Sequence, residues 1–128
     1  MHYIIATHDK MSAGIADAIR ILYGNIENLT VLEAYVESDN FDVKLENVLK
    51  TIDQDEKIIV LTDLLSGSVN QAAIKKMRDR NLEIITGINL PLVLNLLKLD
   101  ETKDIQKQIR EAVENAKEQL IFINTLIK

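Results

Sequence analysis

The sequence predicts an α/β fold with a doubly wound, mainly parallel four-stranded sheet, helices on both faces and a long C-terminal helix. Short β-like runs alternate with runs of helical periodicity, which is typical of a parallel sheet. The first β-like run is apolar on both faces, as expected of a strand buried between two helical layers. The length of 128 residues suits a single domain over residues 1–128. The strand order 2-1-3-4 is an assumption, because periodicity does not determine it.

The first predicted strand covers residues 3–7, and the first helix covers about residues 11–23. Gly24 follows the helix and is a suitable terminator, since glycine is common just beyond helix C-termini. Apolar residues recur through the helix at the spacing of one helical face. The stripe predicted to be buried consists of Ile15, Ala18, Ile19, Leu22 and Tyr23.

The second predicted strand covers residues 29–36. The helix after it could begin at Ser38 or Asp39, because both residue types are good N-caps. One face of this helix carries regularly spaced apolar residues, which predicts that the face packs on the sheet. Its members are Phe41, Leu45, Val48, Leu49 and Ile52.

The second half of the chain repeats the alternation. A strand is predicted over residues 57–62, a helix over 69–78 and a strand over 82–86. A short helix should begin near Pro91, because proline is tolerated in a first helical turn. A last long helix is predicted from the apolar stripe of Ile105, Ile109, Val113, Ala116, Leu120 and Ile123.

Composition excludes several classes of function. The net charge is −5 and aromatic residues make up 4% of the chain, which argues against a nucleic-acid binder. The absence of cysteine rules out a thiolate metal site and a cysteine nucleophile, and we expect no metal and no cofactor. No apolar run approaches the roughly 20 residues of a membrane span. The N-terminus lacks the features of a signal peptide, so we predict a cytoplasmic protein.

Two candidate functional residues follow strands 1 and 3. Parallel sheets bind ligands beyond the carboxyl ends of their strands, at the point where the winding direction reverses. With the order 2-1-3-4 that point lies between strands 1 and 3, so His8 and Asp63 should be neighbours despite lying 55 positions apart in the chain. Considered alone, however, His8 fits an ordinary loop or capping residue, and Asp63 fits a turn.

A histidine beside a carboxylate can act as a nucleophile. The carboxylate accepts one ring N–H, fixes the tautomer and directs the lone pair of the other nitrogen outward. A phosphoryl group would also need donors, and Ser68 with the N–H groups that open the next helix could supply them. Ser68 also has a structural interpretation, because Ser68 and Gln71 fit a capping box with serine at the N-cap.

At these residues the chain resembles the IIA domains of the mannose–fructose–sorbose phosphotransferase family. The strand that ends in Ala6-Thr7-His8 is similar to the family's first strand, which ends in the phosphorylated histidine. Residues 62–73, TDLLSGSVNQAA, are similar to its motif of Asp, two variable residues, Gly-Gly-Ser-Pro, a variable residue and Asn-Ala-Ala. Residues 87–91, GINLP, match its Gly-Val/Ile-Asn-Ile/Leu-Pro segment. Three motifs in the right order make the resemblance fairly specific.

The resemblance implies a phosphoryl carrier that needs no cofactor. His8 would accept phosphoryl from the phosphocarrier protein HPr and pass it to a IIB component, which serves the membrane components IIC and IID. Asp63 would orient His8, and Ser68, Gly67 and Thr7 are predicted to bind the phosphoryl group. The resemblance also implies a homodimer.

The chain departs from the family motif at several positions. Ser66, Val69 and Gln71 stand where the family has glycine, proline and asparagine, and Asp9-Lys10 follows His8 where glycine is common. Ser66 would tighten the loop if the backbone there required a positive φ, which glycine adopts at low cost.

Three alternatives to the carrier remain open. The first is a subunit of the dihydroxyacetone-kinase phosphotransfer branch. The second is a receiver-like domain phosphorylated on Asp63, although strand 1 ends in histidine and not in an acidic pair that could hold magnesium. The third is a regulatory module that kept the fold and lost phosphoryl transfer.

Overall fold

The computed structural model describes residues 1–34 and 40–127, and the chain divides into two compact units, Met1–Ile88 and Asn89–Lys128. Within its described residues, the first unit holds four strands and three α-helices, with a 3-10 turn at Lys76–Arg78. In chain order the elements are β1 (His2–His8), α1 (Met11–Leu22), β2 (Leu29–Ala34), α2 (Phe41–Lys50), β3 (Ile58–Thr62), α3 (Ser68–Lys75) and β4 (Leu82–Thr86). The second unit holds α4 (Leu90–Leu96), α5 (Ile105–Glu118) and a 3-10 turn at Ile123–Thr125.

The four strands form one parallel sheet in the order β2-β1-β3-β4. This order confirms both the predicted fold class and the assumed arrangement. β1 lies between β2 and β3, with Ala6 paired to Leu32 on one side and to Thr62 on the other. The chain therefore winds first one way and then the other from β1, which leaves the carboxyl ends of β1 and β3 side by side.

The main core of the first unit lies on one face of the sheet. Ile4 and Ala6 of β1 share this face, since alternate residues of a strand point the same way. They belong to a buried cluster with residues of α2 and α3, and Leu45 of α2 is fully buried within it. Four members of the stripe predicted for α2, Phe41, Leu45, Leu49 and Ile52, are buried, and Val48 packs partly buried against them.

The predicted stripe of α1 is partly wrong. Ile19 is buried as expected, but Leu22 and Tyr23 are 60% and 44% exposed. The buried face of α1 is formed by Ser12, Ala16 and Ile19, which have the helical spacing of four and three residues. The apolar pattern did not identify Ser12, because serine is polar. Its burial is possible because its hydroxyl donates a hydrogen bond to the Leu32 carbonyl at 3.0 Å. Gly24 follows α1 at φ 102°, as expected of a helix terminator.

Residues 35 and 36 of the predicted second strand, and the predicted helix starts Ser38 and Asp39, lie outside the described residues. In the described part, α2 begins at Phe41, and the Asn40 side chain accepts the Val43 N–H at 3.4 Å.

The second unit contains the predicted last helix, but the helix is shorter than its apolar stripe. α5 ends at Glu118, so Leu120 and Ile123 lie beyond it, and both are more than half exposed. Within the helix Ala112 and Ala116 are buried, while Ile105, Ile109 and Val113 are half-buried. α4 begins as predicted, with Pro91 in its first turn and the Asn89 side chain accepting the Leu92 N–H at 3.0 Å. Among the described residues, no helix has the length and apolar character to cross a membrane.

Candidate functional site

The candidate site lies at the carboxyl ends of β1 and β3. His8 is the last residue of β1, and Asp63 follows β3 directly. Because these strands are parallel neighbours, their ends meet at the same edge of the sheet. The His8 Nδ1 atom lies 2.9 Å from Asp63 Oδ2 and 3.2 Å from Oδ1. The sequence-based expectation that these two residues are neighbours is therefore met in the structure.

Asp63 is held in place by three N–H groups. Its carboxylate accepts the imidazole N–H of His8 and, through Oδ2, the backbone N–H of His8 at 2.9 Å. Oδ1 also accepts the backbone N–H of Leu64 at 3.0 Å. The Asp63 side chain is only 10% exposed, so water competes little for these hydrogen bonds and screens them weakly. One carboxylate thus fixes both the ring and the backbone of His8.

These contacts keep Asp63 ionised. Burial by itself raises the pKa of the Asp63 carboxyl, because it disfavours the charged form. The hydrogen bonds from the backbone and the ring of His8, together with attraction to the imidazole, outweigh burial and lower this pKa below its ordinary value. Asp63 is therefore a carboxylate throughout the neutral range, and it can only accept hydrogen bonds.

The ionised partner decides which ring nitrogen of His8 is reactive. Because the carboxylate can only accept, the proton lies on Nδ1, and in the neutral ring Nε2 carries the lone pair. The His8 side chain is 36% exposed, so the ring is accessible from outside the protein. Charge that develops on the ring when Nε2 forms a bond is stabilised by Asp63. This arrangement suits a histidine nucleophile with an orienting acid.

The loop after β3 packs against the His8 ring at Gly67. A Cβ atom built on Gly67 would lie 3.0 Å from His8 Cε1 and 3.2 Å from Leu64 Cβ. Gly67 has φ −74° and ψ 153°, which any residue can adopt, so glycine is required here for space and not for conformation. Cε1 is bonded to both ring nitrogens, so this loop borders the position of an atom bound to Nε2.

The structure corrects the predicted capping box at the start of α3. Gly67 is the N-cap, it makes no side-chain capping bond, and Ser68 is already the first helical residue. The helix begins one residue earlier than a serine N-cap requires, because its first backbone bond runs from the Gln71 N–H to the Gly67 carbonyl at 3.1 Å. Ser68 is exposed on the first turn of α3, beside the glycine that contacts His8.

The resemblance implies phosphoryl uptake at His8, and we expect Gly67→Ala to slow such uptake by about tenfold, because the added methyl must displace the His8 ring or the loop by a few tenths of an ångström. Gly14→Ala is the matched control. A Cβ there meets nothing within 4 Å, so uptake should be unchanged and the helix more stable by about 0.5–1 kcal/mol. Initial rates of uptake and thermal unfolding curves of both variants would check this prediction. Equal rates for the two variants would contradict it.

Thr7, a predicted phosphoryl-binding residue, is fully buried. Its Oγ1 accepts the Ser12 backbone N–H at 2.7 Å, in the first turn of α1. The Ser12 hydroxyl then donates to the Leu32 carbonyl of β2. Thr7 therefore joins the start of α1 to the end of β1, directly before His8. A threonine near the end of an apolar strand was the available sequence signal for this hydrogen bond, which we did not predict.

A family model described as "PTS system fructose IIA component" matches residues 2–116 of this chain. The chain belongs to the mannose-type IIA family of the sugar phosphotransferase system. The resemblance noted in the sequence is thereby confirmed.

This IIA chain has similar relatives among characterised proteins and solved structures. The sorbose-specific EIIA component of Klebsiella pneumoniae is 29% identical over 106 residues, which cover 80% of this chain and 76% of that protein. The fructose-specific EIIA component of Bacillus subtilis (strain 168) is 25% identical over 101 residues, covering 77% and 69%. A crystal structure of a Klebsiella pneumoniae protein, thought to be a phosphoenolpyruvate-dependent sugar phosphotransferase system permease, superposes with a TM-score of 0.90. It is 30% identical and covers 99% of this chain and 93% of its own.

The backbone conformation of this IIA chain accounts for one departure from the family motif, at Asp9. Asp9, where glycine is common, has φ 51°, and it is the sole non-glycine residue with a positive φ in ranges 1–34 and 40–127. Glycine adopts this conformation most readily, and aspartate is one of the few other residues that tolerate it. Ser66 has no positive φ, so the tightening considered for that position does not arise.

Proposed function

We propose that this IIA chain is a cytoplasmic phosphoryl carrier whose acceptor is Nε2 of His8. Phospho-HPr would be the donor and a IIB component the recipient, which in turn serves the membrane components IIC and IID. Membership of the family supports a role in sugar phosphotransfer. The observation that carries the proposal is the hydrogen bond from His8 Nδ1 to the ionised Asp63, since it leaves the lone pair on Nε2.

The proposed reaction is a transfer between two imidazole nitrogens. The Nε2 lone pair of His8 forms a bond to phosphorus as the phosphorus–nitrogen bond to the donor histidine breaks, and that electron pair returns to the donor ring. Positioning and electrostatic support dominate phosphoryl transfer, so the chain needs to supply little more than a fixed nucleophile. The second transfer, from His8 to the IIB component, reverses these roles. No cofactor is required for either step.

The phosphoryl group would be bound by the loop and helix start beside His8. A Cβ atom on Gly67 would lie 3.0 Å from Cε1 of His8, and Ser68, the next residue, is exposed in the first turn of α3. Helix N-termini favour anions, with a modest contribution of about 0.3–1 kcal/mol at exposed sites. A modest contribution suits a carrier that must release the group. Thr7 would act by positioning His8, since its side chain is buried.

A receiver-like domain with Asp63 as the phosphoacceptor is disfavoured by the same geometry. Both carboxylate oxygens of Asp63 already accept N–H groups, and the side chain is 10% exposed. To attack phosphorus, an Asp63 oxygen would have to give up these hydrogen bonds, and the phosphoryl donor would have to reach a largely buried carboxylate. The proposed carrier uses the contacts as they stand.

Intact mass spectrometry tests the proposal directly. The purified chain would be incubated with phosphoenolpyruvate, enzyme I and HPr, and we expect a mass increment of one phosphoryl group. The modified protein should lose the group in acid and keep it in base, as a phosphohistidine does. Omission of HPr should prevent the increment. A chain that gains no mass would be better explained as a regulatory module that kept the fold.

We also propose that the chain functions as one domain over residues 1–128 and forms a homodimer. The family model matches one continuous stretch that includes parts of both compact units. The segment after α5 exposes large apolar side chains that a monomer would leave in water: Leu120, Ile121, Phe122, Ile123, Leu126 and Ile127.

We expect the wild-type chain to sediment as a dimer at micromolar concentration. Replacing Phe122, which is 70% exposed, with glutamate should shift the chain toward monomer, because a charge buried in an apolar interface is costly. Sedimentation velocity would measure both states. A wild-type chain that stays monomeric at every concentration tested would refute the dimer.

A further inference from the structure

A buried amide joins the end of β3 to the loop that contacts His8. Asn70, the third residue of α3, is 2% exposed, and Thr62, the last residue of β3, is fully buried. The Thr62 hydroxyl donates to Asn70 Oδ1 at 2.9 Å. Asn70 Nδ2 in turn donates to the Leu65 backbone carbonyl, also at 2.9 Å. The amide therefore bridges strand and loop with one acceptor and one donor.

We infer that Asn70 is a positioning residue for phosphoryl transfer, because it holds the loop of residues 63–67 against the His8 ring. This inference rests on the proposed function. Asn70 contacts neither His8 nor Asp63 among the hydrogen bonds of the described residues, so it acts through the loop backbone.

The chemistry of the position requires an amide. The neighbours Val69, Ala72 and Ala73 are apolar and buried, so a polar side chain here is costly unless both of its ends are bonded. Asparagine also has a lower helix propensity than alanine or leucine, so it is not favoured by the helix itself. An aspartate would keep the acceptor and lose the donor, and an aliphatic residue would lose both. Simultaneous bonds to Thr62 and Leu65 are the property that asparagine supplies.

The bonded carbonyl lies in the middle of the loop that forms the site. Leu64 accepts the Gly67 N–H through its carbonyl at 3.2 Å, which turns the loop back toward the sheet. Gly67 then stands at the Cε1 edge of His8, where a Cβ would be 3.0 Å from the ring. If the tie to Leu65 is lost, the loop and the start of α3 can move away from the ring. Asp63 would still orient His8, so the nucleophile would remain while the support for the phosphoryl group weakened.

Asn70→Asp and Thr62→Val form a matched pair that separates positioning from stability. Asn70→Asp removes the donor to Leu65, whereas Thr62→Val removes the other bond of the amide and keeps the tie to the loop. At saturating phospho-HPr we expect single-turnover transfer to Asn70→Asp to be about 10- to 100-fold slower than to wild type. Transfer to Thr62→Val should stay within about threefold of wild type. Thermal unfolding of both variants would measure the stability that each has lost.

Two further measurements make the outcome decisive. Amide hydrogen exchange at Gly67 and Ser68 should accelerate in Asn70→Asp and not in Thr62→Val, which tests the loop without phosphoryl transfer. Asn70→Ser, which removes the amide donor without adding a charge, should behave like Asn70→Asp and would replace it if that variant did not fold. Wild-type rates in both Asn70 variants, or slowing that merely follows lost stability in all variants, would overturn the inference. A wild-type chain that takes up no phosphoryl group would instead overturn the proposed function.

Discussion

Replacing His8 with alanine is expected to abolish phosphoryl uptake. The chain contains two histidines, and His8 is the one whose Nδ1 is bonded to an ionised carboxylate at the carboxyl edge of the sheet. Alanine removes the acceptor nitrogen and leaves Asp63 bonded to the two backbone N–H groups, so the fold should survive. Intact mass spectrometry after incubation with phosphoenolpyruvate, enzyme I and HPr would measure the loss.

His2→Ala is the matched control for this loss. His2 lies at the opposite end of β1, where its Nε2 is 2.7 Å from Thr30 Oγ1. Removing that hydrogen bond should cost about 1 kcal/mol of stability and leave uptake intact. Labelling that persists in His8→Ala would contradict the proposal, and labelling that disappears from His2→Ala would move the acceptor to the other histidine.

Replacing Asp63 with asparagine is expected to slow phosphoryl uptake by about 10²- to 10⁴-fold. The amide keeps the shape of the carboxylate but carries no charge to stabilise the ring as Nε2 forms its bond. It can also present its NH₂ group to Nδ1, which favours the tautomer with the proton on Nε2 and hides the lone pair. Initial rates of uptake from phospho-HPr would measure the effect.

Asp9→Asn is a matched control for Asp63→Asn. Asp9 is the next residue after His8, it is exposed, and asparagine tolerates its φ of 51° as well as aspartate does. The same loss of one negative charge should therefore change the uptake rate by less than about threefold. Equal losses in the two variants would indicate a general effect of charge near the site and would exclude a specific orienting role for Asp63.

The Asp63 variant should also alter the pH dependence of stability. The pKa of Asp63 in the folded chain is lowered from an ordinary value of 3.8, so the carboxylate stabilises the folded state above that value. This contribution should be lost as the pH falls through the lower, folded pKa. The difference in unfolding free energy between wild type and Asp63→Asn should thus be constant near neutral pH and shrink in acid. Denaturant titrations over a pH series would measure it.

The fold could be predicted from the sequence because its strands and helices have strong and different periodicities. The strand over residues 82–86 was predicted with the bounds that it has in the structure, and the order 2-1-3-4 was sufficient to bring His8 to Asp63. Errors occurred where a polar side chain is buried by a bond that periodicity does not register. Ser12 forms part of the buried face of α1 for that reason.

The details of the site were harder to predict than its location. A capping box at Ser68 was plausible from residue types, but the loop turns one residue earlier and makes Gly67 the cap. Thr7 and Asn70 bond to backbone groups, and the Thr62 hydroxyl bonds to the Asn70 side chain, so each partner comes close only when the chain has folded. Such contacts join different elements, so a local pattern could suggest the residue types and not their partners.

The two hydrogen bonds that Asp63 accepts from His8, one from the ring and one from the backbone, have a consequence for the order in which the carrier binds its partners. Because Asp63 holds the ring and the main chain of His8 together, the ring does not rotate between two docking surfaces. Under the proposed function, donor and recipient must therefore approach the same nitrogen from the same side. The two partners would then exclude each other, and the carrier would discharge one before it meets the next. Such a carrier follows ping-pong kinetics. An excess of either partner in its unphosphorylated form would slow sugar phosphorylation by occupying the single docking surface.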